Sequence, residues 1–162
     1  MNNKKIKIIE KVRSYLSDML SQTKKEINNA QVEANYHIGA MQSRYDTFKE
    51  EAQYLVAAQQ IRLIKLESQI IQCDELIIKL SSNVYRFNTI DNGAFFSIKN
   101  YGSGEIKNYF IVPGGNGVTF SLNNYNVLCV SKDAPIIKKY IGLSKDDEPD
   151  IDNCDSFVYE VN

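Results

Sequence analysis

Tyr36-His37-Ile38-Gly39-Ala40-Met41-Gln42 is the stretch that decides the fold, because Gly39 is the only glycine before residue 93 and no proline precedes that point. All three prolines and the other seven glycines fall from residue 93 onward. Glycine and proline interrupt helices and shape turns. So long a stretch with one such break reads as two helices folded back on each other at Gly39. The remainder of the chain reads as a compact, turn-rich sheet region. The expected fold class is α+β, with an antiparallel coiled-coil hairpin over residues 1–83 and a small domain over 84–162.

The hydrophobic spacing on either side of Gly39 supports the two helices. Ile6, Ile9, Val12, Leu16, Met19, Leu20, Thr23, Ile27, Ala30 and Ala34 recur every three or four residues, which keeps one helical face apolar. Tyr45, Phe48, Ala52, Leu55, Val56, Gln59, Leu63, Leu66, Ile70, Cys73, Ile77 and Leu80 do the same in the second arm. With a rise of about 1.5 Å per residue, each arm would extend on the order of 50 Å, and the seams would pack at the shallow angle of coiled coils. Toward its end the second arm is apolar on more than one face, through Ile61, Leu63, Ile64, Leu66, Ile70, Ile71, Leu76, Ile77 and Ile78. Either the sheet domain packs on the base of the hairpin, or two copies associate along their helix arms.

From residue 84 the signals change to short β-rich runs: Val84–Phe87, Ala94–Ile98, Tyr109–Val112, Val118–Leu122, Val127–Ser131 and Phe157–Val161. Asp91-Asn92-Gly93, Gly102-Ser103-Gly104 and Pro113-Gly114-Gly115-Asn116-Gly117 have turn chemistry between them. The last of these lacks the Lys and Ser/Thr of a phosphate loop and is followed by a strand-like run, so it is expected to be a hairpin turn. Between Asp133 and Leu143, a segment opening with Pro135 and closing with Gly142 predicts a short helix.

Charge and cysteine usage narrow the function classes. The net charge of −1 gives no basic field for non-specific nucleic-acid binding. Asp146, Asp147, Glu148, Asp150, Asp152 and Asp155 make an acidic run without EF-hand spacing, which reads as a solvated loop. Cys73, Cys129 and Cys154 show no CxxC spacing and read as reduced thiols. No segment approaches the length of a membrane span, and a cytoplasmic location without membrane contact is expected.

Two motifs add a resemblance over nearly the whole chain. Ser43-Arg44-Tyr45-Asp46-Thr47-Phe48-Lys49-Glu50-Glu51 follows the tip, and Val130-Ser131-Lys132-Asp133-Ala134-Pro135-Ile136 leads through to Gly142. In order and placement they resemble the Gre-type transcript cleavage factors of bacterial RNA polymerase. That family places an N-terminal coiled coil in the polymerase secondary channel and docks an FKBP-like C-terminal domain on its rim. Its second helix begins with Tyr-Asp followed by Lys-Glu-Glu, and its head has a Ser-Pro segment entering a short helix.

The resemblance implies bacterial RNA polymerase as partner. It implies a contacting tip of Tyr36, His37, Ile38, Met41, Tyr45 and Asp46, and a head docking segment of Ser131, Asp133, Ala134, Pro135 and Ile136. Ala134 and Ile137 depart from the family's usual Ser and Gly. A larger departure lies at the tip, where the cleaving members have an acidic pair that helps hold a Mg²⁺ ion at the polymerase active site. On that motif this chain has Ile38 and Met41, neither of which can ligate magnesium. The expected role is therefore a channel-entering regulator without cleavage activity, with no catalytic residue, cofactor or metal of its own. The alternatives are a cleavage-stimulating factor whose acids are Asp46, Glu50 or Glu33, and a self-associating coiled-coil adaptor. His37, the only histidine, has no Cys, second His or tip carboxylate at ligand spacing and reads as a surface or turn residue.

Overall fold

The computed structural model of the chain describes residues 2–36, 42–82, 86–122, 125–150 and 154–162. Two long helices come first, α1 over Asn2–Tyr36 and α2 over Gln42–Ser81. They are followed by a five-stranded sheet with one short helix: β1 Phe95–Asn100, β2 Ile106–Ile111, β3 Asn116–Leu122, β4 Tyr125–Val130, α3 Pro135–Lys138 and β5 Ser156–Val161. This is the α+β class expected from the sequence. The chain divides into two compact units, Ser14–Ile71 and Met1–Arg13 with Gln72–Asn162. The base of the helix pair thus belongs with the sheet, whereas the sequence boundary at 83/84 marks where helical periodicity stops.

In the Ser14–Ile71 unit the arms run antiparallel. Lys24 meets Glu67 at 3.4 Å and Glu26 accepts a hydrogen bond from Gln59 at 3.4 Å, partner numbers falling as α1 rises. Leu16, Thr23 and Leu66 are buried in the seam as their spacing predicts. Leu55, expected there too, is exposed.

In the other unit the strand order is β3-β4-β2-β1-β5, antiparallel throughout except for the parallel pair β2–β4. Alternate residues of a strand point to opposite faces, and both faces of this sheet are covered. On one face Phe96, Ile98, Tyr109, Ile111, Val130 and Val158 pack with Ile90, Ile137 and Tyr140. On the other lie Phe95, Ser97 and Phe110, toward the helix base: the Lys5 ammonium sits 6.0 Å from the Phe110 ring and 5.1 Å from that of Phe87. Double coverage explains why Phe95 to Ile98 is buried without alternation.

Two sequence expectations are corrected here. Val84–Phe87 was expected as a strand, yet Arg86 and Phe87 lie in none, while residues 83–85 lie outside the described residues. Phe87 instead packs its ring beside Gly93, a role that needs an apolar side chain but no ladder partner. Pro113-Gly114-Gly115-Asn116-Gly117 forms a turn but not a hairpin, because β2 and β3 are separated by β4. The segment carries the chain across the end of β4: Val112 donates to the Val130 carbonyl at 3.0 Å and Gly115 to that of Val112 at 3.0 Å. A Cβ on Gly115 would lie 2.3 Å from the Val130 carbonyl carbon, so only glycine fits this crossing. As expected, the next element is a strand, and there is no helix N-terminus for a phosphate.

Candidate functional site

The head segment begins where β4 ends. Ser131 closes a turn by accepting from the Ala134 N–H at 3.0 Å, and the Ala134 carbonyl then accepts from Ile137 and Lys138 at 3.1 and 3.0 Å. Ala134 is the extended residue that caps α3 (φ −64°, ψ 129°), without a side-chain cap, and Pro135 occupies the first helical turn. Proline suits that position because its fixed φ is helical and its missing N–H is not needed there. Gly142, at φ +85°, ends the segment and donates to the Ile90 carbonyl at 2.8 Å. Ile90 donates in turn to Leu143 at 2.8 Å.

Ile137 and Tyr140 anchor this segment in the core, one helical turn apart. The Tyr140 hydroxyl shares a 2.7 Å hydrogen bond with Ser156 of β5. Asp133, Pro135 and Ile136 are left facing outward, while Ser131 and Ala134 are half-buried. Ile136 is 53 % exposed, a large apolar side chain held in water by a fixed backbone. Lys132 pairs with Asp91 at 3.5 Å and ties the turn to the loop before β1. The position where the family has Gly is therefore a core position here, and the Ile137 side chain fills it.

Beside the segment an open cleft of about 220 Å³ separates α3 from the sheet, with Ile98, Tyr109 and Tyr140 as its floor and Ile136, Lys139, Lys107 and Glu105 on its rim. Burial pushes the Tyr109 hydroxyl above its ordinary value, with Tyr140 and Glu105 adding to the effect, so it stays protonated and uncharged at neutral pH. The cleft is smaller than the usual 300–1,000 Å³ of small-molecule sites. Its aromatic floor and mixed-charge rim suit a protein side chain. Sequence reasoning missed Lys107, Tyr109, Lys139 and Tyr140. The Ile137/Tyr140 spacing was the one available sign that α3 packs with one face inward.

The tip set divides differently. Tyr36 closes α1, and Tyr45 and Asp46 fall in the first turns of α2. Their side chains, that of Glu33, and His37, Ile38 and Met41 altogether lie outside the described residues. Glu50 is exposed on α2. Among the described residues no group of three His, Cys, Asp or Glu side chains converges on a common point. The acidic run is more structured than a free loop: Asp147 accepts from the Ser144 N–H at 2.7 Å, Val158 donates to the Asp147 carbonyl at 2.9 Å, and Glu148 accepts from the Tyr101 hydroxyl. Cys73 and Cys129 are fully buried thiols and Cys154 is half-buried, all three unpaired with one another. No described helix is long and apolar enough to cross a membrane.

No protein-family model matches the chain, and no curated protein matches it. Among solved structures it is similar to the transcription factor Gfh1, at 18 % identity and a TM-score of 0.35 over 92 % of each chain. GreA factor homolog 1 (Gfh1) of Thermus thermophilus is 15 % identical with a TM-score of 0.32, over 93 % of this chain and 94 % of that one. Gfh1 of Thermus aquaticus is 17 % identical with a TM-score of 0.35, over 91 % and 92 %.

Proposed function

We propose that this protein is a Gre-like factor that binds bacterial RNA polymerase and regulates elongation by inserting its helix hairpin into the secondary channel. The observation that carries the proposal is the placement of the two motifs. Tyr45-Asp46 opens the second arm of an antiparallel helix pair, and Ser131 to Gly142 forms a turn and short helix on a sheet that follows it. In this reading Asp133, Pro135 and Ile136 dock on the rim, while Tyr36, His37, Ile38 and Met41 make the distal contacts. The factor acts by occupancy. It has no catalytic residue of its own, since an isoleucine and a methionine stand where magnesium-holding carboxylates would be required.

The test pairs binding with chemistry. Polymerase core from the same organism is expected to bind both the wild type and an Ile38→Asp/Met41→Glu variant in interferometry, with only the variant shortening backtracked RNA. Weaker binding by Ile136→Asp would identify the head contact. Absence of binding by the wild type would remove the reading in favour of a coiled-coil adaptor. Magnesium-dependent cleavage by the wild type, lost in Asp46→Ala or Glu50→Ala, would instead assign the chemistry to those acids.

A further inference from the structure

The cleft beside α3 has a buried hydroxyl with nothing to bind. Tyr109 on its floor is 4 % exposed and its ring is stacked on Phe96, with centroids 5.3 Å apart. Among the described residues its hydroxyl has no hydrogen-bond partner. That hydroxyl is not sealed in the core, and the cleft that the tyrosine lines is its way to water. An unpaired hydroxyl in such a place costs stability, which an acceptor seated in the cleft would recover.

The other polar groups of the wall are also left as donors. Tyr140 and Ser156 share one hydrogen bond at 2.7 Å, which uses one of their two hydroxyl hydrogens. Among the described residues the pair's hydroxyls make one further contact, with the Cys154 sulfur at 3.8 Å, a weak acceptor. The Asn100 amide oxygen accepts from the Ser103 N–H and hydroxyl at 2.8 and 3.1 Å, so its amide hydrogens are what it can turn to the cleft. On the rim Lys107 pairs with Glu105 at 3.5 Å. Lys139, whose ammonium lies 5.1 Å from the Tyr140 ring centre, has no carboxylate partner among the described residues. An occupant must therefore accept hydrogen bonds and carry negative charge.

The apolar part of the wall narrows the class further. Ile98 lies on the floor and Ile136 on the rim, where phosphate or sulfate would leave them wet. A bare hydrocarbon would leave Tyr109 unpaired, and a cation would meet Lys139. A carboxylate on a short aliphatic stem satisfies both halves of the wall, and about 220 Å³ admits a group of that size.

We propose that the cleft is a carboxylate-binding site that takes a glutamate side chain of a docked protein, with its methylenes on Ile98 and Ile136 and its carboxylate accepting from the Tyr109 hydroxyl and facing Lys139. Ile136 also belongs to the head docking segment, so a protein seated there passes over the cleft. The site itself does not depend on that protein being polymerase.

NMR titration of the full chain tests it with acetyl-Ala-Glu-Ala-amide, the glutamine analogue of that peptide, and butyrate, each up to about 20 mM. The glutamate peptide is expected to shift the amide signals of Ile98, Lys107 and Tyr140 saturably, and the glutamine peptide to bind about tenfold more weakly. Tyr109→Phe keeps the ring and removes the donor, and should weaken the glutamate peptide by about tenfold. Lys139→Gln alters an exposed side chain and should weaken it by about threefold. Tyr109→Phe should leave the melting temperature unlowered, because the hydroxyl it removes has no partner; a clear fall would show a structural role and overturn the assignment. No saturable shift with the peptide or butyrate, or equal affinity for the glutamate and glutamine peptides, would overturn the site. Binding of butyrate alone would overturn the protein source and assign the cleft to a free short-chain acid.

Discussion

Replacing Lys5 by methionine removes an ammonium group from the interior of the sheet unit. Lys5 is only 2 % exposed, and its Nζ donates to the main-chain oxygen of Asn162 at 2.7 Å. Burial pushes its pKa from 10.5 down to about 8. The unfolded lysine titrates near its ordinary value, so between the two pKa values the unfolded chain holds the extra proton and the folded one does not. Stability therefore rises with pH across that window, and below about pH 8 the cost of burying the charged form is felt in full, offset by the Asn162 bond and the Phe87 and Phe110 rings. The gap corresponds to about 3 kcal/mol when complete, of which roughly 1 kcal/mol accrues between pH 7 and pH 9. Urea denaturation of wild type and Lys5→Met at pH 7, 8 and 9 measures this. Other titrating groups cancel in the difference between the two proteins. The wild type should gain on the variant by roughly 1 kcal/mol over that interval, and a difference that stays constant with pH would refute the reasoning.

Two further outcomes can be checked on the purified protein. Gly115→Ala places a methyl 2.3 Å from the Val130 carbonyl carbon and 2.5 Å from the Ser131 nitrogen, both backbone atoms. The crossing must shift, and thermal melting should report a loss of about 2 kcal/mol or more. Among the thiols, burial pushes Cys73 up to about 11 and Cys129 up to about 12. For Cys154, partial burial is outweighed by contacts with Ser156 and Lys139, which bring it below its ordinary value. A native-state thiol titration at pH 8 should therefore show one fast cysteine of the three, with Cys154→Ser abolishing the fast phase.

The helices were legible because the three-and-four spacing of Ile9, Val12, Leu16 and Leu66 reflects a buried stripe, and burial is what the structure finds there. The short helix was legible from Pro135 and Gly142, which act through local backbone geometry. What escaped depends on contacts between distant parts of the chain. Lys5 reads as an exposed charge until Asn162 and two phenylalanine rings are brought around it. The Pro113–Gly117 turn reads equally well as a hairpin or a crossing, because local chemistry sets the bend and not which strand lies beyond it. In the candidate site the motif named Ser131, Asp133, Ala134, Pro135 and Ile136 together, and it did not show that only Asp133, Pro135 and Ile136 are exposed. The aromatic floor of Tyr109 and Tyr140 was not, since it needs β2 and α3 to face each other.

Ala134 offers a way to separate local helix energetics from docking. The residue already has the extended backbone of a helix cap, and its carbonyl accepts the first bonds of α3, yet its methyl group has nothing to offer the N–H groups of the first turn. A serine at this position adds a hydroxyl that can accept from Ile136 or Ile137 without altering the backbone. Caps of this kind are worth about 0.5–2 kcal/mol over alanine. Ala134→Ser should therefore raise the denaturation midpoint by an amount in the lower part of that range, because α3 is only four residues long and is anchored chiefly by Ile137 and Tyr140. Serine is also the residue that the resembled family uses here. If the head segment docks as proposed, polymerase affinity should rise by more than the added stability can explain, since a folded head gains nothing in binding from a firmer fold. A stability gain with unchanged affinity would confine Ala134 to the helix cap. A loss of stability would contradict the cap geometry itself.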